Sequence, residues 1–279
     1  MLERKEYPPG VPCWIDTTQP EPEAAAAFYR DLFGWELEDQ MPAGAPGHYF
    51  MARLRGRAVA AVGSQPRDAL PAPAWNTYIA VDSADRTAAK VEEAGGSVLT
   101  APFEILDSGR MGVFRDPSGA VFSAWEANRH AGAQLVNEPG TWNWSALNTP
   151  DPERASTFYG EVFGWVGAPV NLGEGEVTMW RLPGYADFLE RSDPDLRRRH
   201  AQVGAPEGFS DAVAWMAPAE GPARWSVTFA VDNADAIAAR AVELGGRVLA
   251  APSDAGMTRV AVLGDPQGAE FSVSHFEPR

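Results

Sequence analysis

The stretch FYRDLFGW at residues 28–35 returns as FYGEVFGW at residues 158–165. A second pair follows in the same order, with WNTYIAVD at 75–82 and WSVTFAVD at 225–232. Phrases that repeat in order along a chain indicate one structural unit used more than once. The repeats therefore predict that the two halves of this chain share one fold.

The residues around these phrases predict the same order of elements in each half. Proline and acidic residues open a helix at 20–23 and again at 151–153, where a missing N–H costs nothing and acids complement the helix dipole. Short apolar or alternating runs bounded by glycine, proline and aspartate predict the strands. The order strand, helix and three strands occurs twice in 10–127 and twice in 141–277, which makes four βαβββ units.

These units predict an α+β protein with two domains of curled mixed sheets, at residues 8–127 and 141–277. The intervening residues 128–140 are polar and rich in small side chains, which is typical of a linker. The second half has additional residues near 183–223, within which 187–203 have helical spacing. We interpret this insertion either as a lid over a ligand or as a helix that covers an exposed sheet.

Composition excludes several classes of protein. The net charge of −15 argues against nucleic acid as a partner. No apolar run approaches the ~20 residues that span a bilayer, and the first ten residues have no apolar signal core. Cys13 is the sole cysteine, so an internal disulfide and a cysteine-based metal cluster are excluded. We expect a soluble, cytoplasmic protein without a membrane partner.

The pattern resembles the vicinal oxygen chelate superfamily, which includes glyoxalase I, fosfomycin and bleomycin resistance proteins, and extradiol dioxygenases. The resemblance is carried by FYxxxFGW in both halves, by AVDxAD at 80–85 and 230–235, and by DPxGAxFS at 116–123 and 265–272. The tandem form is similar to an actinobacterial group labelled glyoxalase-like or hydroxylase near polyketide pathways. The resemblance implies that paired units form a cup, whose floor holds a metal that grips two neighbouring substrate oxygens.

The resemblance also implies that the metal ligands lie at the start of the first strand, at the start of the strand after the linker, and on the last strand. In this chain those positions fall at Trp14, Asn76 and Ser123 in the first half, and at Trp144, Ser226 and Ser272 in the second. Tryptophan does not bind such metals, and neutral Asn and Ser are poor anchors without carboxylate or imidazole help. We therefore expect no metal and no other cofactor.

The four histidines offer few catalytic candidates. His130 and His200 are expected at the surface, and His48 is expected to be structural or exposed. His275 lies on the last strand, and Glu126 stands at the matching place in the first half. Both are weak candidates for a catalytic base, and simple packing at a strand end is the alternative interpretation.

Ten tryptophans are many for 279 residues, and most lie on predicted strands. If the former ligand positions face the cup, Trp14 and Trp144 replace a metal by a flat apolar floor. Such a floor stacks on planar aromatic ligands, at ~0.5–1.5 kcal/mol for each good stack. Alternation predicts that Trp142 shares a face with Trp144. The polar groups that would orient a ligand are Asp16, Asn76, Ser123, Asn148, Ser226 and Ser272. The alternative is that the tryptophans fill the cups as core.

We predict a metal-independent protein that binds an aromatic or polyketide-like small molecule, as a resistance or biosynthesis accessory protein. The rival is an enzyme of the same superfamily, a hydroxylase or oxygenase, an isomerase or a lyase, with His275 or Glu126 as base. A purely structural scaffold is the third class. One cup or both are open, and the chain is a monomer or a homodimer.

Overall fold

The computed structural model describes residues 3–65, 73–171 and 175–277, which form two eight-stranded mixed sheets with helices against them. The α+β class is confirmed. The first half contains β1 (Pro12–Gln19), α1 (Pro22–Phe33), β2 (Glu36–Asp39), β3 (Tyr49–Leu54), β4 (Arg57–Ser64), β5 (Ala74–Ala80), α2 (Ala84–Glu93), β6 (Ser97–Ile105), β7 (Gly109–Arg115) and β8 (Val121–Ala127). The second half contains β9 (Thr141–Thr149), α3 (Pro152–Phe163), β10 (Val166–Asn171), β11 (Glu176–Arg181), α4 (Tyr185–Glu190), α5 (Leu196–Gln202), β12 (Ala212–Pro218), β13 (Arg224–Ala230), α6 (Ala234–Glu243), β14 (Arg247–Ala255), β15 (Thr258–Gly264) and β16 (Glu270–Phe276).

The two sheets have the same strand order. It is β2-β3-β4-β1-β5-β8-β7-β6 in the first and β10-β11-β12-β9-β13-β16-β15-β14 in the second. In the first sheet, β1 runs parallel to β4 and antiparallel to β5, which is parallel to β8. The β1–β5 pair therefore joins two βαβββ units into one sheet, and the β9–β13 pair does the same in the second half.

Helices α1 and α3 begin and end as the repeated phrase predicts. Each has a proline in its first turn, and Asp151 accepts a hydrogen bond from the backbone N–H of Arg154 at the start of α3. Gly34 and Gly164 follow the last turns with φ of 74° and 75°, a conformation in which glycine has no steric cost. Within the part of the chain that the structure describes, no helix is long and apolar enough to cross a bilayer.

The first repeated phrase links the two domains. The phenol of Tyr29 on α1 donates to Asp265 Oδ2 of the second domain at 2.9 Å. Trp75 Nε1 donates to the same phenol oxygen at 3.0 Å, and Gln19 Nε2 donates to Asp265 Oδ2 at 2.7 Å. Both Tyr29 and Asp265 are fully buried. Helix α1 is thus fixed to its own sheet and to the second domain at one point.

The same contact occurs in reverse from the second domain. The phenol of Tyr159 on α3 donates to Asp116 Oδ2 of the first domain at 3.1 Å. Trp225 Nε1 donates to that phenol oxygen at 2.9 Å. The FYxxxFGW helix of each domain therefore contacts the DPxG turn of the other domain.

The sheets themselves pack back to back between these contacts. Thr77 Oγ1 on β5 and Ser145 Oγ on β9 are hydrogen-bonded at 2.8 Å in the buried interface. Phe229 on β13 meets the ring of Trp75 with centroids 5.0 Å apart. Because side chains alternate between faces along a strand, the neighbours of Thr77 point to the opposite face of the sheet. The two cups therefore open away from each other.

A bulge at Asn143 separates two tryptophans that simple alternation places on one face. Trp142 pairs with Phe229 and Trp144 pairs with the preceding residue Thr228, so the register shifts between them. A bulge inserts one residue into a strand and changes the direction of the side chains that follow. Trp142 consequently lies in the buried cluster with Phe229, whereas Trp144 is half-buried on the cup side.

Residues 128–140, which we call the strap, are packed against the first sheet. The backbone N–H of Ala133 donates to the carbonyl of Cys13 at 2.8 Å, and that of Gln134 donates to the carbonyl of Ala58 at 2.7 Å. Ala133 and Leu135 are buried. The strap therefore adds backbone hydrogen bonds and apolar contacts to the first domain.

We expect Tyr29→Phe to lower the free energy of unfolding by about 1–3 kcal/mol, because Trp75 Nε1 loses its acceptor while remaining buried. Tyr159→Phe is the matched variant and should cost a similar amount. Urea denaturation of both variants measures these values. A loss below about 0.5 kcal/mol, which is ordinary for a surface substitution, would contradict a role for the bond in holding the domains.

Candidate functional site

The concave face of the first sheet, which we call cup 1, is centred on a buried carboxylate. Asp16 Oδ2 accepts hydrogen bonds from the phenols of Tyr49 at 3.1 Å and Tyr78 at 2.8 Å. Asp16 Oδ1 accepts one from Asn76 Nδ2 at 2.8 Å, and Trp14 Nε1 donates to the Tyr49 oxygen at 3.2 Å. Asp16 is only 3% exposed. Polar side chains from three strands therefore supply one another's hydrogen-bond partners at the floor of cup 1.

Burial dominates the electrostatics of this cluster. It raises the pKa of Asp16 above its ordinary value, although hydrogen bonds from Asn76, Tyr78 and Tyr49 oppose the shift. Burial, together with the nearby Asp16 charge, raises the pKa of both tyrosines well above the usual value. Tyr49 and Tyr78 therefore remain phenols that donate to Asp16.

His130 of the strap covers cup 1, whereas the sequence predicts a surface position for it. Its ring meets the ring of Trp14 edge-on, with centroids 4.4 Å apart, and its carbonyl accepts from Trp125 Nε1 at 2.7 Å. Burial lowers the pKa of His130 to about 4, so the imidazole is neutral at physiological pH. Trp14 is 3% exposed. Cup 1 is thus filled by its own side chains, and Trp14 is core.

The concave face of the second sheet, cup 2, has a different floor. Thr228 on β13 lies opposite Trp144 on β9 and opposite Ser272 on β16, so the three form one row across the sheet. All three are half-buried. In cup 2, Ala146 lies opposite Ser226. At the matching position of cup 1, Asp16 lies opposite Asn76. The carboxylate that fills cup 1 therefore has no counterpart at this position of cup 2.

The floor of cup 2 has an aromatic side and a polar side. The indole of Trp144 meets the rings of Phe209 and Trp215, each with centroids 5.8 Å away. On the polar side, Asn148 Nδ2 donates to Ser226 Oγ at 3.0 Å. The predicted second-half residues therefore lie on one concave face, and Phe209 and Trp215 complete it.

Strand pairing shows which residues form a row across the floor of each cup. Tyr78, and not Asn76, lies opposite Trp14 and in register with Ser123. In the second sheet Thr228, and not Ser226, occupies the matching place. The sequence does not show this, because the register is set by contacts between distant strands. Asn76 and Ser226 lie two residues away on the same faces.

The two weak catalytic candidates lie outside the cups. Glu126 Oε2 accepts a hydrogen bond from the backbone N–H of Ala84 at 2.8 Å, at the start of α2. His275 Nδ1 lies 3.2 Å from Glu277 Oε1. Alternation along β8 and β16 directs both side chains away from the concave faces. Their contacts are those of a helix start and a strand end, which agree with the alternative interpretation of packing at a strand end.

The donor set of neither cup fits a divalent metal. Within 3–65, 73–171 and 175–277, no three His, Cys, Asp or Glu side chains converge in a group that could hold a metal ion. The rows across the two floors are Trp14, Tyr78 and Ser123, and Trp144, Thr228 and Ser272. Metals of this fold require carboxylate, imidazole or thiolate donors. Asp16, the carboxylate in cup 1, already accepts three hydrogen bonds.

Comparison with known proteins identifies the same fold in both halves. Residues 14–124 match the family model of the glyoxalase/bleomycin resistance protein/dioxygenase superfamily, and residues 144–274 match that of a glyoxalase-like domain. Among solved structures, the Mn(II)-bound glyoxalase of Novosphingobium aromaticivorans superposes with a TM-score of 0.62 at 18% identity, covering 97% of this chain and 83% of the other. At that identity the likeness shows the fold alone.

Two relatives match along nearly their whole length. "Putative glyoxylase CFP32" of Mycobacterium tuberculosis is 42% identical over 278 residues, covering 98% of this chain and 97% of the relative. The anthracycline biosynthesis protein DnrV of Streptomyces peucetius is 35% identical over 283 residues, covering 96% and 94%. The chain therefore belongs to the glyoxalase/bleomycin resistance protein/dioxygenase superfamily, also called the vicinal oxygen chelate superfamily, in a tandem two-domain form.

Proposed function

We propose that the protein binds a planar, oxygen-bearing aromatic or polyketide-like metabolite in cup 2, without a metal. The observation that carries the proposal is the row of Trp144, Thr228 and Ser272 across the floor of cup 2. The resemblance places metal ligands on the same three strands, at Trp144, Ser226 and Ser272 in this half. All three residues are half-buried, and in this proposal the indole and the two hydroxyl groups contact the ligand.

The chemistry of these side chains favours a flat ligand with several oxygens. Trp144, Phe209 and Trp215 form an aromatic group that supplies stacking and edge contacts to a ring system. Hydroxyl groups both donate and accept hydrogen bonds, so Thr228 and Ser272 suit carbonyl and phenol oxygens. A few polar groups on an apolar wall are the usual means of orienting such a ligand.

The relatives support a role in secondary metabolism. One protein that is 35% identical along almost its whole length is named for anthracycline biosynthesis. Anthracyclines are planar and oxygen-rich, which agrees with the chemistry of cup 2. We therefore propose an accessory role in the biosynthesis of, or the resistance to, such a compound.

An enzyme of the same superfamily, a hydroxylase or oxygenase, an isomerase or a lyase, is the second candidate. The observation that favours it is Asp16, a buried carboxyl group whose pKa is raised by burial. Groups with shifted pKa values in a cup are frequent acid–base catalysts. Asp16 is, however, fully engaged by Tyr49, Tyr78 and Asn76, an arrangement that equally serves to fill cup 1.

Replacing the indole of cup 2 tests the binding proposal. We expect Trp144→Ala to weaken the binding of 1,8-dihydroxyanthraquinone about tenfold, because a stacking face and its buried area are both lost. Phe50→Ala, which removes a partly exposed ring from the first domain, is the control and should leave the affinity unchanged. Isothermal titration calorimetry measures both. Equal affinity of wild type and Trp144→Ala would place the ligand elsewhere.

Metal analysis tests the independence from metal. After incubation with Fe(II), Mn(II), Ni(II) or Zn(II) and gel filtration, we expect well below one metal ion per chain, because the described residues contain no group of three His, Cys, Asp or Glu side chains that could hold a metal ion. Elemental analysis gives the stoichiometry. The affinity for the anthraquinone should also be unchanged by EDTA. A near-stoichiometric metal that EDTA removes together with ligand binding would refute the proposal.

The pH dependence of stability tests the raised pKa of Asp16. The folded state retains this proton to higher pH than the unfolded chain, in which an aspartate has a pKa of about 3.9. The contribution of Asp16 to the free energy of unfolding therefore falls as the pH rises above about 3.9, until the folded-state pKa is passed. Urea denaturation of wild type and Asp16→Asn across this range measures the difference, with Glu220→Gln as an exposed control. If wild type instead gained stability relative to Asp16→Asn as the pH rises, the hydrogen bonds to Asp16 would outweigh its burial.

A further inference from the structure

Arg181, the last residue of β11, carries a positive charge that no neighbouring side chain balances. Within the part of the chain that the structure describes, its guanidinium group has neither a hydrogen bond nor an ion pair. The residue is half-buried, and its Nε is fully enclosed. Charged side chains are seldom buried without a partner, and this chain has 38 acidic residues for 23 basic ones. An unpaired arginine at such a position is therefore unusual.

The first domain has an arginine at the same position of the fold, and there it is paired. Arg53 and Arg181 each follow a register shift against the next strand, and they lie opposite Ala58 and Ala212. Arg53 Nε lies 3.7 Å from Glu38 Oε2 on the neighbouring strand β2. The two arginines are thus equivalent in structure and differ in their partners.

The second domain lacks the acid that pairs with this arginine in the first. Glu38 on β2 lies opposite the residue two before Arg53. On β10, the residue opposite the one two before Arg181 is Ala168. The second domain therefore retains the arginine and has an alanine in place of its carboxylate partner.

Arg181 lies on the concave side of the second sheet. Met179, two residues before it on β11, pairs with Trp215, whose ring meets that of Trp144 on the floor of cup 2. Alternation places Arg181 on the same face as Met179. From the insertion, Gly208 covers the guanidinium group so closely that a Cβ there would lie 2.5 Å from Arg181 Nη1. Arg181 is therefore held on the side of cup 2 that the insertion covers.

Aromatic rings of the cup lie near this arginine in both domains. In the first, the His130 ring meets that of Trp14, and the charge of Arg53 adds to burial in lowering the pKa of His130. In the second, Phe209 directly follows the glycine that covers the guanidinium group, and its ring meets that of Trp144 at 5.8 Å. One ligand in cup 2 can therefore contact both an aromatic face and a cation.

We propose that Arg181 makes cup 2 selective for a planar aromatic carboxylate, an inference that rests on the proposed binding of a planar ligand in cup 2. The ring system stacks on Trp144, and the carboxylate accepts hydrogen bonds from Nη1 and Nη2 of Arg181. These two nitrogens form a planar fork that matches the two oxygens of a carboxylate. Nε is enclosed and takes no part. The ligand thus supplies the acid that Glu38 supplies in the first domain.

Two probes that differ in charge test this selectivity. Anthraquinone-2-carboxylate and anthraquinone-2-carboxamide have the same rings and nearly the same shape, and only the first is anionic at pH 7. We expect wild type to bind the carboxylate about tenfold more tightly, at the lower end of the range for hydrogen bonds to a charged group. Arg181→Gln should bind both probes as wild type binds the carboxamide. Isothermal titration calorimetry measures the four affinities.

A variant that leaves Arg181 in place provides a second test. Ala168→Glu returns to the second domain the acid that pairs with the arginine in the first. It should abolish the preference for the carboxylate and leave the affinity for the carboxamide unchanged. Ala168→Gln has the same length without the charge and should retain the preference. This pair also serves if Arg181→Gln does not fold.

Two further variants locate the carboxylate. Arg53→Gln removes the equivalent arginine of the first domain, and Arg4→Gln removes a cation that lies beside Trp144 at the start of β9. Both should keep the tenfold preference. A preference lost in Arg4→Gln would place the carboxylate at the N-terminal segment and overturn the role of Arg181.

The remaining outcomes separate this inference from the proposed function. Equal affinity of wild type for the two probes, or an unchanged preference in Arg181→Gln or Ala168→Glu, would overturn the selectivity and leave the binding of planar ligands in cup 2 in place. Failure of wild type to bind either anthraquinone would overturn both. The affinity for the uncharged carboxamide therefore reports the proposed function, and the ratio of the two affinities reports Arg181.

Discussion

Two buried hydrogen bonds that cross between the domains determine how the rest of the molecule is arranged. The phenol of Tyr29 donates to Asp265, and the phenol of Tyr159 donates to Asp116. Each tyrosine comes from the first helix of one domain, and each aspartate from the last turn of the other. Because a buried carboxylate that loses a donor is costly, the two helices hold the domains in one relative position. The FYxxxFGW helix and the DPxG turn both repeat in the sequence. They thus contact each other across the domain boundary, once in each direction.

This contact explains why the cups are separate. The sheets meet through their outer faces, with Thr77 and Ser145 paired between them, so each concave face is directed to its own side. Cup 1 uses Asp16 and its donors to fill its floor, whereas cup 2 has Ala146 at that place and leaves Trp144 half-buried. One fold therefore supports a buried floor in cup 1 and a half-buried floor in cup 2. The difference depends on a few side chains, and the backbone of the two sheets has the same strand order.

The sequence predicts the architecture well, because the phrases that define it act locally. The helix phrase has its own proline and glycine boundaries, and the DPxG turn has the residues that a tight reversal requires. The site is predicted less completely. Strand register places Tyr78 and Thr228 in the rows, and the bulge at Asn143 turns Trp142 into the core. The position of His130 depends on how the strap packs against β1. All of these are long-range contacts, which composition and local periodicity do not encode.

Joining the two cups in one polypeptide affects how their sequences can diverge. In a symmetric homodimer both sites are products of one gene segment, so every substitution appears in both at once. Here the segments are inherited together but vary separately. A change such as a carboxylate at residue 16 or an alanine at residue 146 affects one cup alone. The covalent link thus allows the floor of one cup to change its side chains while the floor of the other keeps its own.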